Sequence, residues 1–212
     1  MSRLGRALAL LPLTGLLLAG APPVQAGQRA LPETVVVHDS RTSSPVVDIS
    51  TVRLQASYYY DSEQAVSVAV PHGYLAGHLV TVWFDVDGDS TPDGHFEMRL
   101  LPPKNAGGQT LRKVQDFRRG GGWSHGGTRV KGCGGSEGGP PVFDTIKKGT
   151  KSFSMVLDLW WCVGVATPDI DVDPGAWRVA VRVAKGDLAD MAPNGQRWSK
   201  PVRGWEGCHD EC

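Results

Sequence analysis

The sequence predicts an all-β protein, an antiparallel β-sandwich of jelly-roll or immunoglobulin-like type with eight or more strands. Three observations carry that expectation. Apolar and polar residues alternate over short runs, the period of a strand with one face buried. Gly (27) and Pro (15) are abundant and mostly punctuate those runs. No stretch of ten residues repeats with the period of a helix, and short strands separated by turn residues pack best as two sheets. Apolar residues at 41% supply a core for one domain, and 22 basic against 22 acidic residues exclude a nucleic-acid binder that works by bulk positive charge.

In chain order, Arg3 and Arg6 precede an apolar run over 7–20 and the small-residue stretch Val24-Gln25-Ala26, the pattern of a cleaved secretory signal at 1–26. Cleavage leaves 20 basic against 22 acidic groups and no later membrane span. Residues 27–34 read as an extension, 35–195 as the sandwich and 196–212 as a tail. Val52, Leu54, Ala56, Tyr58 and Tyr60 share one face of a strand. After the turn 61–64, Val66, Val68 and Val70 share a face of its hairpin partner. An apolar strand over 79–84 is followed by Phe96, Met98 and Leu100 pointing inward. A weaker strand spans 111–117, and a loop over 120–141 holds ten glycines in 22 positions. So many glycines make ordering costly, so the loop is expected to be mobile unless Cys133 pins it. Alternation resumes at Phe153, Met155, Leu157 and Leu159, and again at Trp177, Val179, Val181 and Val183.

The sharpest motif is Asp85-Val86-Asp87-Gly88-Asp89-Ser90-Thr91-Pro92-Asp93. Side-chain oxygens at the first, third, fifth and ninth positions with a carbonyl at the seventh are how short loops wrap a hard cation. The expected ligands of one Ca²⁺ are therefore Asp85, Asp87, Asp89, Asp93 and the Thr91 carbonyl. The spacing resembles the DxDGDGxxD calcium loops between strands of integrin-type and related bacterial repeats, though Ser90 replaces the usual Gly and Phe96 stands at the twelfth position. The alternative is a solvated Asp/Gly hairpin turn.

Cys133, Cys162, Cys208 and Cys212 make an even set, which in an oxidising compartment reads as two disulfides. Three pairings are open. Cys133 with Cys162 and Cys208 with Cys212 is the favoured one, because it ties the Gly-rich loop to a strand and closes the tail. Gly122-Trp123-Ser124-His125-Gly126 matches GxSxG but has no strand before it and no helix after it, so it is read as fortuitous. The six histidines are scattered and form no HExxH or His/Cys cluster, so they read as surface residues. Trp83, Trp177, Tyr58 and Tyr60 fall on apolar strand faces and are expected in the core. Trp123, Trp198 and Trp205 sit in Gly-rich or polar surroundings and are the candidates for an exposed binding surface.

Val37-His38-Asp39, Val47-Asp48-Ile49, the Phe84 to Gly94 hairpin and Asp190-Met191-Ala192-Pro193-Asn194-Gly195 together resemble a group of small secreted actinobacterial β-sandwich proteins. These are similar in outline to DOMON-like and family-9-type carbohydrate-binding modules. The resemblance spans 35–195 and implies a fold and an extracellular location, with no assigned activity. The expected function is a secreted, non-catalytic module of the cell envelope or extracellular space. It holds one structural calcium ion and binds a protein or polysaccharide of the envelope, with no nucleic-acid partner. A carbohydrate-binding module is the alternative, and a secreted hydrolase ranks third.

Overall fold

The computed structural model describes residues 33–40, 44–56, 63–134, 139–164 and 176–203. The expected signal segment, Tyr58, Tyr60, Trp205, Cys208 and Cys212 lie outside them. Two antiparallel sheets pack face to face. The first carries β1 (Thr34–His38), β2 (Thr51–Gln55), β3 (Glu63–Ala69) and β8 (Ser152–Asp158), in that spatial order. The second runs β10 (Leu188–Ala192), β9 (Ala176–Lys185), β4 (Leu79–Asp85), β5 (Gly94–Leu101), β6 (Arg112–Arg119) and β7 (Thr128–Val130), with β11 (Val202–Arg203) also paired to β9. The predicted sandwich is the observed one.

Alternation explains the packing. Val52, Leu54, Val66, Val68, Phe153, Met155 and Leu157 face inward from the first sheet, and meet Val80, Val82, Phe84, Phe96, Met98, Leu100, Phe117, Val179, Val181 and Val183 from the second. All belong to one buried cluster, which also contains Trp177 as expected. Trp83 corrects the expectation. It is buried, at 3% exposure, yet stands outside that cluster, because in β4 the inward residues are Val80, Val82 and Phe84 and Trp83 takes the opposite face.

The described stretch 120–134 of the Gly-rich loop holds regular structure that its composition does not predict. It contains β7, which continues the β6 edge with Phe117 opposite Val130 and Arg119 opposite Thr128. The strand expected to run on past Asp158 instead ends there, and Trp160–Gly164 forms a single π-helical turn. Asp158 Oδ1 accepts from the Trp161 amide at 3.0 Å. The buried Arg119 guanidinium donates to the Cys162 carbonyl at 2.8 and 3.1 Å and to the Trp161 carbonyl at 3.2 Å, so these two carbonyls of the turn are satisfied without a ladder.

The expected Cys133–Cys162 disulfide is not formed. Both are buried free thiols, and the Cys162 Sγ donates to the Cys133 carbonyl at 3.3 Å. The π-helical turn aims that sulfur at backbone, so the contact between the two segments is a hydrogen bond. Burial, reinforced by the neighbouring Cys133 thiol, pushes the Cys162 thiol well above its ordinary value, which keeps it in the unreactive protonated form.

The motifs at the two ends of the sandwich sequence meet in space. Asp190 Oδ2 accepts from the Ile49 amide at 2.7 Å, and Asn194 Nδ2 donates to Asp39 Oδ1 at 2.7 Å. Beyond Asn194 the chain keeps to β9, where the Ser199 amide donates to the Val179 carbonyl at 2.9 Å before β11 pairs with Ala176 and Trp177. This seam joins the first sheet's segment 47–50 to the edge of the second.

Phe96 lies at the centre of the inner face, opposite Val82 on β4 and Phe117 on β6, and is fully buried. Phe96→Ala is expected to cost about 3–5 kcal/mol. Urea unfolding measures it, and a loss below ~1 kcal/mol would contradict this packing.

Candidate functional site

The outer face of the second sheet should be wet, since the core lies on the other side. Around β4 and β5 it is dry: Thr81, His95 and Ala180 have no exposure at all. Two segments remote in sequence cover it. The β6–β7 connection, 120–127, folds back so that Trp123 packs on Trp83 with ring centroids 5.5 Å apart, and His125 packs on the same indole at 6.1 Å. Trp198, just before the Ser199 contact, lies on Trp123 at 4.9 Å with the rings tilted by 36°. Trp123 and Trp198 are half-buried. Of the tryptophans expected to form a binding surface, these two therefore form one aromatic wall.

Glycine is required here for a geometric reason. Gly121 has φ +81° and Gly127 φ +106°, both in the left-handed region. A Cβ on Gly121 would sit 2.6 Å from the Gly126 carbonyl oxygen, and one on Gly127 would collide with the Arg119 carbonyl oxygen. The loop closes against its own backbone, which is what lays Trp123 and His125 onto the sheet. Ser124 is spent inside it: its hydroxyl donates to the Gly121 carbonyl and accepts from the Gly126 amide at 3.3 Å. His125 turns instead to Glu97, Nδ1 to Oε1. GxSxG thus sits in a hairpin loop between β6 and β7.

The acidic motif is the β4–β5 hairpin tip beside this wall. Asp85 ends β4 and is buried; its Oδ1 accepts from the Gly88 amide at 2.7 Å and its Oδ2 from the Ser90 amide at 3.0 Å. Asp87 Oδ1 accepts from the Asp89 amide and Asp89 Oδ1 from the Thr91 amide. Ser90 adopts φ +75°, so it makes the turn usually left to Gly. The carboxylates of Asp85, Asp87 and Asp89 converge, with one oxygen of each within 4.8 Å of the others. Asp93 does not join them. Its Oδ2 accepts from the Val86 amide at 2.8 Å, and its own amide closes the hairpin on the Phe84 carbonyl.

A cation of the chain's own already serves the tip. Arg178, opposite Asp85 across the β4–β9 pair, donates from Nε to Asp85 Oδ2 at 2.7 Å and from Nη2 to the Gly88 carbonyl and Ser90 hydroxyl at 2.9 and 3.0 Å. Its guanidinium also stands 5.6 Å from the Trp198 ring, a cation–π contact, while Trp198 Nε1 donates to the Ser90 carbonyl at 3.1 Å. Hairpin tip and aromatic wall are one assembly. The converging carboxylates suit a hard cation, and Arg178 is what such a cation would have to share Asp85 with.

Sequence reasoning missed Glu97 and Arg178, and its reading of the six histidines as surface residues is corrected at His78 and His95, which have no exposure, while His125 is exposed. His95 and Glu97 are two apart on β5, so they share a face, and that spacing was the available signal. The third histidine reaches them only through the loop's fold. Comparison with protein-family models, with curated proteins and with solved structures finds no match to this chain.

Burial, then the charges of Asp87, Asp85 and Asp89, raises the Asp93 carboxyl from 3.8 to about 6. Between those values the folded chain holds a proton that the unfolded chain releases. Stability from this group is present at low pH and is lost as pH rises through about 6. In metal-free buffer Asp93→Asn is expected to unfold at a higher temperature than the parent at pH 7, with the difference vanishing below about pH 4. Thermal unfolding across that range checks it, and a gap that widens toward acid contradicts it.

Proposed function

We propose that this chain is a non-catalytic extracellular binding module whose recognition surface is the assembly of hairpin tip, Gly-rich loop and 196–200 segment. One observation carries the reading: three segments far apart in sequence converge on the outer face of one sheet and join two half-buried tryptophans to an arginine and an acidic loop. Aromatic rings ringed by charged groups on a rigid sheet make a recognition surface, because the rings bury large area at little entropic cost and the charges fix orientation. The kinship to small secreted sandwich proteins belongs to the same proposal, supported by the meeting of the Val47-Asp48-Ile49 and Asp190 to Gly195 motifs in one seam.

A protein of the envelope is the first choice of partner. Trp123 and Trp198 lie against each other, which gives a single compact anchor of the kind that fills a pocket on a protein surface. A polysaccharide is the second reading, favoured by the indoles being half-exposed beside Arg178. Retention on insoluble cell-wall or plant polysaccharides that is lost in Trp198→Ala would make glycan binding the function. A parent that passes through all of them unretained favours the protein partner.

Calcium is part of the proposal, supported by the convergence of Asp85, Asp87 and Asp89. Bound at a hundredfold excess over its Kd, an ion stabilises the fold by about 2.7 kcal/mol. Millimolar Ca²⁺ is therefore expected to raise the thermal midpoint by about 5–10 °C over EDTA. Asp87→Asn should abolish the rise. An unchanged midpoint in the parent removes calcium from the reading and leaves Arg178 as the cation that serves the tip.

A further inference from the structure

The second cluster of ligand-type side chains on this face is independent of the acidic tip. His95 and Glu97 project from β5 beneath the Gly-rich loop, and His125 descends from that loop to meet them. One ligand atom from each lies within 4.8 Å of the others. The two imidazole rings stand edge to face, centroids 6.2 Å apart and planes at 89°, and His125 Nδ1 contacts Glu97 Oε1 directly.

His95 itself points to a missing partner. It has no exposure, and neither Nδ1 nor Nε2 has a hydrogen-bond partner among the described residues. A buried polar group left unpaired is costly, and an imidazole has two such atoms. A neutral, desolvated imidazole with a free lone pair is the form that binds a metal.

We propose that His95, Glu97 and His125 form a zinc-class transition-metal site that fastens the Gly-rich loop to the outer face of the sheet. Two nitrogens and one carboxylate are a donor set for Zn²⁺, and the imidazoles set it apart from the all-oxygen tip where calcium would go. The ion satisfies one nitrogen of His95 and replaces the His125–Glu97 hydrogen bond by coordination. Three protein ligands leave a tetrahedral ion one position for water or an incoming ligand atom. The glycines at 121 and 127 then have a purpose, because they let a loop carrying a ligating histidine lie flat on a strand that carries the other two ligands.

The test is calorimetric titration of ZnCl₂ into the full chain after removal of metals with a chelator. The expected result is one equivalent bound, with Kd weakened at least tenfold in His125→Ala and in Glu97→Gln and unaltered in Asp87→Asn. His125→Ala removes a contact on Trp83, so its metal-free thermal midpoint is measured beside the parent's to establish that it is folded, and Glu97→Gln keeps the shape of the side chain it replaces. Tryptophan fluorescence gives a second readout, since Trp83 packs on His125 and on Trp123. Zinc should change it in the parent and not in His125→Ala. Absence of binding at 100-fold excess of zinc over protein overturns the proposal. So does binding that neither His125→Ala nor Glu97→Gln weakens, which would place the zinc elsewhere in the chain. Neither outcome bears on calcium at the hairpin tip.

Discussion

The burial of Trp83 on the outer face of β4 is the constraint to which the loops conform. A sandwich strand normally offers its second face to water, and Thr81, Trp83 and His95 would be a costly surface to leave there. Covering them takes Trp123 and His125 from one loop and Trp198 from another, so two connections that could have wandered are drawn onto the sheet. The result is a second, small apolar layer outside the sandwich, made partly of polar groups. Its histidine, glutamate and indoles are packed against one another while remaining next to solvent. That combination of fixed geometry and access is what separates a site from a surface.

Electrostatics ties this layer to the hairpin beside it. Asp85 is buried at the end of β4, and its charge is met by Arg178 from the neighbouring strand. A guanidinium suits the task because it can serve a carboxylate, a carbonyl, a hydroxyl and an aromatic face at once. The acidic tip is thereby neutralised in part by the protein itself, and Asp87 and Asp89 remain the exposed part of its charge.

The fold was legible in the sequence because alternation is a local property. Val80, Val82 and Phe84, or Phe153, Met155 and Leu157, announce their strands without reference to any partner. What alternation cannot say is which of two apolar faces looks inward, and Trp83 lies on the apolar face that does not. β7 was hidden by its glycine-rich flanks, and the π-helical turn at Trp160–Gly164 by the strand pattern running into it. The acidic hairpin was legible because its residues are consecutive. The tryptophan pair was legible only as individual residues, and the histidine cluster only in part, because 28 positions separate Glu97 from His125 and their meeting is a product of pairing register and a folded-back loop.

The seam between Ile49 and Asp190 spans 141 residues of sequence. Contacts this remote are the slow ones to form, since the chain between them must be ordered before they reward it. β9 takes β4 on one side, and the run from β10 to β11 is the last 16 described residues, 188–203. Strands β1 to β3 precede in the chain the segment that completes the second sheet's margin, so the two sides of the seam are made far apart in sequence. The order of elements along the chain thus makes the Ile49–Asp190 seam one of the slower contacts to form.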